Sequence, residues 1–174
     1  EIVGSGRWVK ETEGGLFRFA CRYHAPDGAP IGWVVRFDGT DGGKAVIPYF
    51  ARNGAGWRAK GANEPRPLFN GHELAVAPAD AAAFVVEGEK CAAAMASLGM
   101  TCTTSPGGAR AAGRADWSPL ARFGRVYILP DRDEAGEAYA RDVAAALAGL
   151  PGQREVFVVR LPDLPEGGDI VDWI

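Results

Sequence analysis

Acidic side chains stand at three places in this chain where a short apolar run gives way to a polar corner. Glu87 closes "AAFVVEG", Asp131 and Asp133 close "RVYILPDRD", and Asp169 with Asp172 lies in "PEGGDIVDWI". Carboxylates from separate segments repel one another if they converge, so a shared crevice makes physical sense only with a compensating cation. Oxygen ligands of this kind select Mg²⁺ or Mn²⁺ over softer metals. Such an ion keeps open positions for substrate phosphates and can polarise them in phosphoryl transfer. Each acid also has a plain structural use. The D-x-D pair can cap a helix starting at Glu134, and Glu87 can serve as a first-turn acid complementing a helix dipole. Their order along the chain is the specific feature.

The elements that must position them follow from pattern. From about residue 80, short apolar runs alternate with helical segments: "AAFVVEG", a helix from Glu89 to Leu98, "TCTTS", a "PGGARAAG" loop, a short helix near Trp117 to Phe123, "RVYIL", a helix from Glu134, and "EVFVVRLP". Strands alternating with helices predict βαβ crossovers and a parallel sheet covered on both faces. Ligand sites in such sheets lie at the carboxyl ends of the strands, where all three acidic corners fall. The helix from Glu134 places Tyr139, Val143, Ala146 and Leu147 on one face, with Gly149 as its stop. The Glu89 helix carries an apolar stripe of Cys91, Ala94, Met95 and Leu98. Ser105-Pro106-Gly107-Gly108 reads either as a plain turn or as a loop offering backbone N–H groups to a phosphate.

The first 75 or so residues read differently. "LFRFACRYH", "IGWVVRF" and "KAVIPYF" are strand-like runs separated by the turn signals Pro26-Asp27-Gly28 and "DGTDGG", giving a small antiparallel lobe. Between Lys44 and Arg66 the basic residues Lys44, Arg52, Arg58, Lys60 and Arg66 outnumber the acids, with Tyr49, Phe50 and Trp57 among them. Cations interleaved with rings suit a nucleic-acid strand, and a solvated hairpin loop accounts for them equally well.

Composition bounds the rest. The chain is 47% hydrophobic and 24% charged, ordinary for a globular protein, and its net charge of -3 argues against a general polyanion binder. Cys21, Cys91 and Cys102 lack the paired spacing of a zinc site or disulfide framework. No apolar run approaches the roughly 20 residues of a membrane span, and no signal peptide is evident, so the expected location is cytoplasmic. His24 and His72 are isolated. No internal repeat is present.

"VVEGEK", "LPDRDEAG" and "GGDIVDW" resemble the signature of the TOPRIM domain, the metal-binding fold of bacterial-type primases, type IA and II topoisomerases and some nucleases. Upstream, "DGAPIGWVVRFDG" and "RAKGANEPRPLFNGHEL" resemble the subdomain that precedes TOPRIM in bacterial and in phage or plasmid primases. The resemblance spans about residue 16 to the end. It implies an α/β fold: a TOPRIM domain at 81–174, with a parallel, Rossmann-like sheet and flanking helices, preceded at 1–80 by a small β-rich α+β lobe. It further implies Glu87 as acid or base beside an attacking hydroxyl, Asp131 and Asp133 as metal ligands, and Asp169 and Asp172 at the later acidic position. Arg36 and Lys60 match basic positions that contact template or nucleotide phosphate. Lys90 beside the site offsets its acids or is simply solvated, and single-stranded DNA is expected to run past Trp57, Arg58 and Lys60.

The implied activity is that of a DNA primase catalytic core of a phage, plasmid or other mobile element, a nucleotidyltransferase making RNA primers on single-stranded DNA with Mg²⁺ or Mn²⁺. Its partners would be template, NTPs and a helicase domain. Cys91 departs from the family, which commonly carries Asp there. There is no cysteine-rich zinc ribbon and no P-loop, so the chain reads as a catalytic segment of a longer protein. Two rivals stay open: a TOPRIM nuclease using the same carboxylates on water, and a non-catalytic nucleic-acid-binding module. A topoisomerase is disfavoured by the lack of an evident nucleophilic tyrosine domain.

Overall fold

The computed structural model describes residues 15–52, 56–78 and 80–174. Three nine-residue strands, β1 (Leu16–His24), β2 (Pro30–Asp38) and β3 (Lys44–Arg52), and a short β4 (Gly56–Arg58) form an antiparallel sheet in the order β1-β2-β3-β4. The β1–β2 turn uses the predicted chemistry: Gly28 N–H donates to Ala25 O at 2.9 Å, and the Asp27 carboxylate accepts from Ala29 N–H.

Period-two alternation gives this sheet two distinct faces. Cross-strand register sets Phe19, Arg36 and Val46 in one row, Cys21, Val34 and Pro48 in the next, and Tyr23, Gly32 and Phe50 in a third. The opposite face carries Val35, Phe37 and Tyr49 in a small cluster of its own.

The second sheet is wholly parallel, in the order β6-β5-β7-β8, from β5 (Ala83–Val86), β6 (Cys102–Thr103), β7 (Arg125–Leu129) and β8 (Glu155–Val158). Around it lie α1 (Gly71–Val76), α2 (Glu89–Ser97), α3 (Glu134–Ala148) and α4 (Ile170–Trp173), with 3-10 turns at Ala109–Arg114 and Ser118–Arg122. The latter is the short helix expected near Trp117 to Phe123. In α3, Tyr139, Val143 and Leu147 are buried as the period predicts. No helix among the described residues is long and apolar enough to cross a membrane.

One expected stripe needs correction. In α2 the buried residues are Cys91, Ala92 and Met95, whereas Leu98 is 58% exposed. The helix stops at Ser97 and Gly99, at φ +82°, turns the chain toward β6, so the 3.6-residue period no longer governs Leu98.

The lobes share apolar material. One cluster joins Tyr23, Val34, Phe50 and Phe69 to Val86, Met95, Leu129 and Ile170. A second joins Leu68, Leu74 and Ala77 to Val85, Val126, Ile128 and Val143. Residues 68–77 therefore precede the expected division at 80 yet pack with the parallel sheet. At ~1.5–3 kcal/mol for each large apolar side chain fully buried, the contacts of the first cluster hold the basic sheet over the strand ends.

Candidate active site

From β5 the chain crosses to β6 on one side, then returns to place β7 on the other. The carboxyl ends of β5 and β7 thus flank a topological switch point, where open α/β sheets leave a crevice. Glu87 follows β5 directly and Asp131 follows β7 by one proline. Gly88, at φ +83°, lets the chain turn from strand to α2 within one residue, and its N–H is held by Thr104 Oγ1 at 3.1 Å. Asp133 caps α3, its Oδ1 accepting from Gly136 N–H at 2.7 Å. Gly136 lies so close to the Asp131 backbone that a Cβ there would press on its carbonyl and stand 2.8 Å from its nitrogen. The glycine of "DEAG" is what lets α3 start against Asp131.

A cleft of about 570 Å³ opens here. Its floor includes Glu87, Glu89, Lys90, Cys91, Asp131 and Asp169, and Pro106, Gly107 and Gly108 form one wall. The front face of the antiparallel sheet roofs it with Phe19, Arg36, Val46, Pro48 and Phe50, and Arg66 lines it as well.

The electrostatics are strained as carboxylates alone. Burial, then the charges of Glu87, Asp169 and Asp133, push the Asp131 carboxyl up to about 7. Glu87 is also raised, by burial and then by Asp133, although the Ala109 N–H opposes this. Its Oε2 is buried with no hydrogen-bond partner. Burial works against ionising Asp169, but Lys90 Nζ, donating to its Oδ2 at 2.6 Å, and the Val171 N–H, donating to Oδ1 at 2.7 Å, hold it below the usual carboxylate range. Oxygen-only donors, an orphaned buried oxygen and mutual repulsion fit a hard divalent cation at Glu87, Asp131 and Asp133. Among the described residues, no three His, Cys, Asp or Glu side chains are gathered tightly enough to hold an ion as they stand.

The structure thus brings together Glu87, Asp131 and Asp169, with Asp133 close enough to perturb the first two. The other expected residues are placed as follows. Asp172 does not line the cleft; its Oδ2 accepts the Asp169 N–H at 2.9 Å, closing a capping box on α4. Lys90 pairs with Asp169 and so offsets the acids of the cleft, one of the two roles expected of it. Trp57 pairs with Ala51, which alternates with the cleft-lining Phe50, so the indole lies on the far side of the sheet. Arg58 and Lys60 are exposed and lie outside the cleft lining. Arg36 is in the lining, but shares its charge with Asp38 at 3.0 Å.

Sequence reasoning missed two features. Arg66 faces the acids with a buried Nε that has no partner, and its ion pair with Glu64 is long at 3.7 Å. Its signal was the flanking Pro65 and Pro67, which fix φ around a basic residue; its backbone is further pinned by hydrogen bonds with Arg114 and Asp116. The second is Tyr23, whose hydroxyl donates to Glu89 Oε1 at 2.7 Å and ties the lobes together. The Ser105–Gly108 loop does form a wall, but the N–H of Ala109 just beyond it goes to Glu87. Tyr139 steadies the loop from below, its hydroxyl accepting from Ser105 N–H at 3.2 Å.

Neither a protein-family model nor a curated protein matches the sequence. Solved structures do match in fold. The primase fragment of the bacteriophage T7 primase-helicase protein aligns with TM-score 0.59 and 19% identity, over 85% of this chain and 54% of that one. The Aquifex aeolicus primase, comprising zinc-binding and RNA polymerase domains, aligns with TM-score 0.62 and 22% identity, over 90% of this chain and 36% of that one. The E. coli primase catalytic core aligns with TM-score 0.59 and 20% identity, over 91% and 48%. The chain has the fold of these catalytic cores and spans about half or less of each.

Proposed function

We propose that this chain is the catalytic core of a DNA primase, joining ribonucleotides on a single-stranded DNA template. The observation that supports this best is that Glu87, Asp131 and Asp169 line one cleft at the switch point of the parallel sheet, with Asp133 close enough to perturb the first two, beneath a basic and apolar sheet face. The fold similarity to primase cores supports it independently. Glu87, Asp131 and Asp133 would hold Mg²⁺ or Mn²⁺, which when bound supplies charge stabilisation at the phosphate under attack and at the departing pyrophosphate.

The chain's own residues do the rest. Glu87, kept from ionising easily by burial and by Asp133, is suited to take the proton from an attacking 3′-hydroxyl. Arg36 and Arg66 face the acids across the cleft and neutralise nucleotide phosphates; a guanidinium binds them bidentately and never loses its charge. Phe19, Val46 and Pro48 give the sugar and base an apolar surface that excludes water on that side. Arg58, the last residue of β4, and Lys60 just beyond it, both exposed, supply phosphate contacts to the template outside the cleft. A helicase domain or partner and a cytoplasmic setting belong to the same reading.

An end-labelled primer annealed to single-stranded DNA, incubated with NTPs and Mg²⁺ or Mn²⁺, separates this from its rivals. Lengthening that is lost in Asp131→Asn supports the primase core. Shortening without NTPs supports a nuclease. A bound but unchanged primer supports a binding module.

A further inference from the structure

The acids of the cleft are not equivalent. Asp169 already has both carboxylate oxygens taken, Oδ2 by the Lys90 ammonium at 2.6 Å and Oδ1 by the Val171 N–H at 2.7 Å. Asp133 spends one oxygen on Gly136, and Glu87 keeps a buried oxygen with no partner at all. An oxygen facing a covalently tethered ammonium at this distance is both neutralised and obstructed as a metal ligand. The pair is firmly placed, because Lys90 sits in the first turn of α2 and Asp169 caps α4, which packs against it.

Resting on the metal reading given above, we infer that Lys90 is a built-in cation that removes Asp169 from the ligand set, so that the substrate-free chain binds one divalent ion, on Glu87, Asp131 and Asp133, instead of two. Without that charge, Asp169 would be left, with Asp131, to attract a second ion. Any further ion then enters on the phosphates of the nucleotide. Lys90 is accordingly a positioning residue rather than a catalytic one.

The test counts Mn²⁺ by the loss of its free-ion EPR signal, with no nucleotide or template present, for the unaltered chain, Asp169→Asn and Lys90→Met. Asparagine still accepts from Val171 N–H, so the α4 cap survives. The unaltered chain is expected to bind one ion, Asp169→Asn one ion with Kd changed less than about 3-fold, and Lys90→Met two. Two ions on the unaltered chain would overturn the inference. So would a ~10-fold or greater weakening in Asp169→Asn, the size expected when a ligand or its supporting partner is lost, or a count of one in Lys90→Met. An unaltered chain that binds no Mn²⁺ would instead overturn the metal reading itself, so the two failures are distinguishable.

Discussion

Replacing Asp131 by asparagine should make the metal-free protein more stable and the metal-loaded protein relatively less so. Burial and three neighbouring acids raise the Asp131 carboxyl from 3.8 to about 7. At ~1.36 kcal/mol per pH unit this corresponds to about 4 kcal/mol in a dry site. The cleft is open to solvent, and screening cuts the expected value to roughly 1–2 kcal/mol. The sign is set by proton counts. Between pH 4 and pH 7 the folded chain retains a proton on Asp131 that the unfolded chain has released, so stability falls as pH rises through this window. Above pH 7 the penalty is complete; below pH 4 it is absent. The amide introduced by Asp131→Asn does not titrate, so in chelator the variant should exceed the unaltered chain by roughly 1–2 kcal/mol at pH 8 and match it at pH 4. Mg²⁺ should reverse the order, because a ligand at 100 times its Kd adds ~2.7 kcal/mol to the form that binds it. Urea denaturation at both pH values, with chelator and with Mg²⁺, reads all of this. Equal stability at pH 8 in chelator, or an equal gain from Mg²⁺ in both proteins, would refute the convergence of charge on Asp131.

Three further outcomes are expected. Gly136→Ala drives a methyl group into the Asp131 backbone and should cost about 1–3 kcal/mol, seen as a lower Tm despite the better helix former; an unchanged Tm would show that α3 does not start against that peptide. Tyr23→Phe removes the 2.7 Å bond to Glu89 and strands a half-buried carboxylate, for a loss of about 1–3 kcal/mol in urea denaturation at neutral pH; no loss would mean that this contact does not tie the lobes. For single-stranded DNA, Arg36→Ala should weaken binding and flatten its salt dependence, while Trp57→Ala on the far face should change Kd less than about 3-fold. A stacking tryptophan would cost ~1–3 kcal/mol, so a loss of that size in fluorescence anisotropy would put the strand on the other side of the sheet.

The parallel sheet and its acidic corners were legible because the determinants are local. Apolar runs with alternating helical periods set β5, β7 and α3, and strand ends are where loops must leave. Asp133 was readable as a cap because a cap is a one-residue decision, and the structure shows it capping while it also perturbs Glu87. What escaped was decided by tertiary neighbours. Trp57 lies one residue out of phase with the cleft, and the register of a three-residue strand cannot be read from its own sequence. Asp172 and Asp169 are similarly spaced from the other acids, yet a capping box consumes one and Lys90 holds the other. Arg66 was visible only as one charge in a basic run; its place opposite Glu87 depends on pairing with Arg114 and Asp116, far along the chain. Leu98 was misplaced because the helix ended one residue earlier than its stripe.

Template-directed joining of nucleotides at the carboxylate cleft is the proposal that one experiment tests most plainly. Four primed single-stranded DNA templates, differing only in the base next to the primer end, should each be offered all four NTPs singly with Mg²⁺ or Mn²⁺. Addition of the complementary ribonucleotide on each template is expected, lost throughout in Asp131→Asn. Addition that ignores the template base, or that persists in Asp131→Asn, would contradict it.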